Sequence, residues 1–156
     1  MTLAGLERLV VWKKAEEFAV FIYREVIPAL PVEEKYGLNQ QLRRSAQSIP
    51  ANIAEGYGRF YYQETVRFCY NARGSLEEVI SHLVLAHDLG YLKDECFRKA
   101  IQLSDELVRL INGFIKYMKQ TKSGEKEPGS LALNREPEEK RSTDFVFDSN
   151  SDEKEE

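Results

Sequence analysis

Little in this sequence can carry out bond chemistry. Cys69 and Cys96 are its two cysteines. They fit no metal-ligand spacing and make no disulfide framework, so reduced thiols in a cytoplasmic protein are expected. Its two histidines, His82 and His87, stand five apart and do not share a helix face. Val79 and Val84 occupy the positions three before them, so the Glu-x-x-His pattern of di-metal bundles is missing. No phosphate loop, nucleophile elbow or zinc motif is present. The apolar runs are too short to cross a bilayer. The start, MTLAGLERLVVWKKAEE, lacks a basic leader followed by an apolar run, so no secretory signal is expected. These absences argue against a metal, a cofactor, a catalytic residue and a membrane partner.

Proline is also scarce, with five in 156 residues, and no stretch alternates as a strand does. Long helices are what remains. Leu6–Ala29 reads as the first, with Ala15, Phe18, Ile22, Val26 and Ala29 as its buried stripe and Trp12 and Ala19 beside it. Pro28 and Pro31 end it. The second, within Tyr36–Arg59, carries Leu38, Leu42, Ala46, Ile49 and Ile53 on one face. Pro50 lies inside that stripe, where a kink is expected because it cannot donate to the carbonyl of Ala46. The helix should stop near Gly56 and Gly58 with a left-handed cap. The third, Tyr62–Leu89, aligns Thr65, Phe68, Ala72, Leu76, Val79, Leu83 and Ala86. Gly74 in its middle suggests a close helix approach, and Gly90 closes it. The fourth, Asp94–Lys119, bears two apolar rows. One holds Phe97, Ile101, Ser104, Val108, Ile111, Ile115 and Met118. The other holds Ala100, Leu103, Leu107, Leu110, Phe114 and Tyr117. Short connections between such helices predict an all-α, antiparallel up-down-up-down four-helix bundle over residues 1–122.

Residues 123–156 are different. Pro, Gly, Ser and acidic residues dominate without a period, which predicts a disordered tail. Charge divides at the same place. Residues 1–122 carry 17 Lys and Arg against 15 Asp and Glu, a net of +2, and the tail carries 5 against 11, a net of −6.

Three groups of side chains could form sites. Arg43, Arg44, Arg59, Arg67 and Arg73, on the two middle helices, are candidates for nucleic acid contact. The aromatics of YGRFYYQETVRF (Tyr57–Phe68) could stack on exposed bases; the alternative is a helix corner packed by Phe60 and Tyr61. Asn52 and Glu55, three apart and neighbours, read as a structural polar cluster tying helices together with Arg73, the alternative being an anion site. Trp12, Phe21, Leu103, Leu107, Leu110 and Phe114 are candidates for a subunit interface. The fourth helix's two rows exceed what one bundle core needs, and a cyclic interface would cover the surplus.

Four segments carry a resemblance: VWKKA (Val11–Ala15), YGLNQQLRRSAQSIPANIAEGYGR, ARGSLEE (Ala72–Glu78) and LAHDLGYL (Leu85–Leu92). With them the chain resembles the four-helix bundle protein family, also called the 23S ribosomal RNA intervening-sequence protein family. The resemblance implies a bundle assembling as a ring, commonly a homopentamer, with no enzymatic activity attached. It also implies likeness to the accessory variability proteins of diversity-generating retroelements, which are basic pentamers that bind nucleic acid and partner a reverse transcriptase. The expected partners are therefore further copies of the chain, RNA or DNA, and a reverse transcriptase. The competing expectation is a scaffold that binds protein alone, with the acidic tail as a docking arm. The weak net charge of the domain departs from the family's basic pattern.

Overall fold

A computed structural model describes residues 3–122, which contain helices and no strand. The expected tail disorder concerns residues outside the described part. The α-helices are α1 (Leu3–Glu7), α2 (Val10–Phe21), α3 (Leu38–Tyr57), α4 (Tyr62–Asp88) and α5 (Asp94–Thr121). The last four pack in a cycle: α2 on α3, α3 on α4, α4 on α5, α5 back on α2. Contacts between neighbours fix their directions. The Thr65 hydroxyl donates to the carbonyl of Gly56, and Ser75 meets Ser48 further along, so α3 and α4 are antiparallel. Tyr70 meets Lys119 while His87 meets Asp94, which sets α4 against α5 in the same way. Tyr23 reaches the carbonyl of Arg43 from the far end of the first helix. The result is the up-down-up-down bundle expected from the sequence.

Its core is the set of stripes. Leu38, Leu42, Ala46, Ile49 and Ile53 are all buried, and α3 runs unbroken through Pro50. Burial of that row offsets the roughly 3 kcal/mol an interior proline costs. On α4, Thr65, Ala72, Leu76, Val79, Leu83 and Ala86 are buried, but Phe68 is only half-buried and Cys69 takes the core position beside it. On α5 the core seam draws on both apolar rows: Ala100, Ser104, Leu107, Ile111 and Ile115. Buried hydroxyls are satisfied locally, Ser104 on the carbonyl of Ala100 and Ser45 on that of Gln41.

Several local expectations are corrected. The first helix is not one rod. Leu9 takes an extended backbone and separates α1 from α2. After Phe21 the helix widens into a π turn over Ile22–Val26, where the Ile27 N–H reaches the carbonyl of Ile22, and then tightens to a 3-10 turn over Ile27–Ala29. This shift of phase buries Ile27 in place of Ala29, which is exposed. The α3 terminus has no left-handed cap: Gly58 has φ −76°. Gly56 is needed for a different reason. A Cβ there would sit 2.8 Å from Phe68 Cβ and 3.1 Å from the carbonyl oxygen of Thr65, so α3 and α4 approach closely here. Gly74, expected to mark such an approach, is exposed with nothing within 4 Å of a built Cβ. Gly90 does close α4, at φ +75°.

Candidate nucleic-acid interface

The close approach at Gly56 shapes the end of the bundle. With the α3 and α4 backbones pressed together there, the short corner Gly58–Tyr61 has no interior to fill. Phe60 is left 63% exposed and Tyr57 43%. Phe60 meets Tyr61 edge to face at 5.2 Å between centroids, yet the corner is not the packed plug its aromatics suggested. Beside it, the Arg59 guanidinium lies 5.1 Å from the centre of the Phe68 ring, and that of Arg67 lies 6.0 Å from the same ring. Arg59 also pairs with Glu55 one helical turn back, both side chains being solvent-facing.

A second grouping joins α4 to α5. Arg73 lies 5.0 Å over the Tyr70 ring and donates to the Asn112 side-chain oxygen at 3.0 Å. Lys119 lies 5.5 Å from the same ring and donates to its hydroxyl at 3.0 Å. Arg67, Tyr70 and Arg73 step by three along α4, so they share a side of it. Cations held over aromatic faces lose side-chain freedom before any ligand arrives.

Beside the first group the bundle end opens into a cleft of about 360 Å³, lined by Leu9, Tyr57, Arg59, Phe60, Thr65, Phe114, Tyr117 and Met118. Tyr117 is 58% exposed on its rim. The α2 start, the α3 end, the α4 start and the α5 end all meet here.

The five candidate arginines do not converge. Arg59, Arg67 and Arg73 belong to the groups just described. Arg43 sits on the α2–α3 side, 4.8 Å over the Tyr23 ring and bonded to the Asn39 side-chain oxygen at 2.8 Å. Arg44 is exposed toward the same half of α3. The rest of α3, from Arg44 to Tyr57, about 20 Å of helix, lies between Arg44 and Arg59. The polar cluster is also divided. The Asn52 amide donates to the Ser48 carbonyl and hydroxyl oxygens of its own helix, and it is Ser48 that meets Ser75 of α4 at 2.9 Å, so Asn52 reaches the second helix only through Ser48. Glu55 stays on its own helix with Arg59, and Arg73 turns to α5. Tyr70 and Lys119, missed in the sequence, are 49 residues apart and join only through the antiparallel pairing.

Of the apolar candidates, Leu107 is 1% exposed and belongs to the core of the single chain. Trp12, Phe21, Leu103, Leu110 and Phe114 are half-buried along its flanks. Phe21 and Leu103 wall a groove of about 200 Å³ between α2 and α5, edged by Lys14, Glu17 and Glu106. That pair of helices packs less extensively than the other three neighbouring pairs, which leaves the groove open.

Burial pushes the Cys69 thiol up to about 11, so it stays protonated at neutral pH and packs as a small apolar group. Burial, with Glu25 and Glu95 nearby, also raises the Cys96 thiol. Among the described residues no three His, Cys, Asp or Glu side chains gather to hold a metal ion, and no helix is long and apolar enough to cross a membrane.

A helical bundle with a basic, aromatic end and a half-buried apolar flank is thus the class that fold and site define. Residues 7–113 match the family model described as 23S rRNA-intervening sequence protein, and the chain belongs to that family. It is similar to a crystal structure of a protein of unknown function from the S23 ribosomal protein family of Bacteroides thetaiotaomicron. That likeness has a TM-score of 0.63 and 28% identity, covering 69% of this chain and 99% of the other. No curated protein matches the chain.

Proposed function

We propose that this protein is a non-enzymatic accessory bundle that assembles with copies of itself and associates with nucleic acid. The observation that carries the reading is a cationic, aromatic surface that runs along α4 from the bundle end to the middle of that helix. Arg59 and Arg67 bracket Phe68, Arg73 and Lys119 bracket Tyr70, and Phe60 and Tyr57 stand exposed beside them. Cations meet phosphates and rings offer stacking faces to unpaired bases. The family's description, which names a 23S rRNA intervening sequence, points the same way. Self-assembly is supported by the half-buried Trp12, Phe21, Leu103, Leu110 and Phe114. A ring of five subunits, and a reverse transcriptase as protein partner, follow from the resemblance to retroelement accessory proteins.

The test is fluorescence anisotropy of a labelled single-stranded RNA with the full chain at two salt concentrations. Three phosphate contacts on a single strand give a slope of about −2 in log affinity against log salt, so raising salt fourfold weakens binding roughly twentyfold. The triple variant Arg59→Gln, Arg67→Gln, Arg73→Gln flattens that slope. Salt-insensitive binding, or an unchanged triple variant, refutes the assignment. A monomer by light scattering at micromolar concentration refutes the assembly.

A further inference from the structure

We propose that the acidic C-terminal segment of this chain folds back onto the cleft at the bundle end, with Phe145 and Phe147 as its anchors. Three observations meet there. The first is where the described chain stops. Tyr117 and Met118 line the cleft, and Lys122 follows one helical turn later, so the remaining residues leave from the cleft's own margin.

The second is charge. The last ten residues before the exit, GFIKYMKQTK, hold three lysines and no acid, and Arg59 lies on the cleft wall. Residues 123–156 carry a net of −6. The third is the chemistry of the anchor. Phe145-Val146-Phe147 stands between Asp144 and Asp148. Its rings suit a cleft walled by Tyr57, Phe60, Phe114 and Tyr117, and its flanking carboxylates suit Arg59. Leu131–Leu133, the other apolar patch, is flanked by Ser130 and Asn134 and has no such charge match.

Reach allows the contact. Twenty-three residues separate Lys122 from Phe145, a coil span of about 26 Å. Tethering at that length gives a local concentration on the order of millimolar. A segment with an intrinsic affinity on the order of 0.1 mM then fills the cleft about nine-tenths of the time. A polyanion competing for the same surface binds about tenfold more weakly. This last consequence rests on the nucleic acid reading above; the docking itself does not.

Replacing Phe145 by the photo-reactive p-benzoylphenylalanine in the full chain tests the docking with no nucleic acid present. Cross-links mapped by mass spectrometry are expected at Tyr57–Phe60 and Phe114–Met118. Mixing with isotope-labelled chain should show them to be within one chain. Cross-links elsewhere, chiefly between chains, or none, overturn the proposal. A second arm uses Phe145→Ser with Phe147→Ser, which keeps every charge. It should bind single-stranded RNA about tenfold more tightly than the wild type. If wild type and variant bind RNA equally, competition by the segment is refuted. If neither binds RNA while the cleft cross-links persist, the docking stands and the nucleic acid reading falls.

Discussion

Replacing Gly56 and Gly74 by alanine, one at a time, should change stability in opposite directions. Both glycines are helical, so each Ala gains about 1 kcal/mol of helix propensity. At Gly74 nothing lies within 4 Å of the new methyl, and that gain is the whole effect. At Gly56 the methyl falls 2.8 Å from Phe68 Cβ, against about 3.5–4.0 Å for a comfortable carbon contact. The nearby groups are a Cβ and backbone atoms of Thr65, not the end of a flexible chain, so α4 itself must yield by roughly 1 Å. Overpacking of this kind costs about 1–3 kcal/mol. The displacement also stretches the buried 2.8 Å bond from the Thr65 hydroxyl to the Gly56 carbonyl, worth about 1 kcal/mol. Subtracting the propensity gain leaves Gly56→Ala about 1–3 kcal/mol less stable than the wild type, and Gly74→Ala about 1 kcal/mol more stable. For a domain of this size each kcal/mol moves Tm by roughly 3–5 °C. Denaturant titration followed by circular dichroism reads both values. A Gly56→Ala protein as stable as the wild type would show that α3 and α4 do not meet as closely as described.

Other outcomes follow from the same structure. Leu107→Ala opens a cavity in the single-chain core and should cost about 2–5 kcal/mol at any protein concentration; a loss that vanishes on dilution would return Leu107 to a subunit interface. In native protein a thiol reagent should modify Cys96 well before Cys69, which is fully buried and held protonated; equal rates would contradict the packing of α4. The hydrogen bond from His87, 2.9 Å away, lowers the Asp94 carboxyl below its usual range. A depressed carboxyl stabilises the fold above its unfolded value of about 3.9, and that contribution fades as pH falls through the folded value. Asp94→Asn should therefore flatten the acid limb of the stability curve, as thermal melting at a series of pH values will show. An unchanged limb would mean that the contact adds nothing.

The bundle was legible because helical burial repeats. Each of the five apolar residues on α3 is buried because a 3.6-residue period leaves them one shared face. The same phase held an unused clue: Gly56 follows Ile53 by three and continues that stripe, whereas Gly74 lies between Ala72 and Leu76, on the opposite side. The close approach was therefore readable, but it was placed on the wrong glycine. The break at Leu9 and the widened turn after Phe21 had no such signal. The site was half legible. Arg59 and Arg67 sit in one aromatic stretch and emerged from it together. Tyr70 and Lys119 met only once α5 was laid against α4, and Arg43 departed because it lies near the start of α3 while Arg59 follows its end. On α5 two apolar rows implied a surplus, but pattern could not say that the core would run down the seam between them.

The π turn at Ile22–Val26 has a consequence for how this chain can change length. A turn closed from Ile27 back to Ile22 holds one residue more than an ordinary α turn. Deleting a single residue there would let the same Ile27 N–H close an ordinary α turn onto Ile22, with Ile27 still stacked above it and the Pro28–Pro31 corner keeping its direction. The same deletion inside α2, where no turn holds a spare residue, would swing everything after it by about 100°. The π turn is therefore the place where the first helix can give up a residue with least disturbance to the order in which the bundle packs.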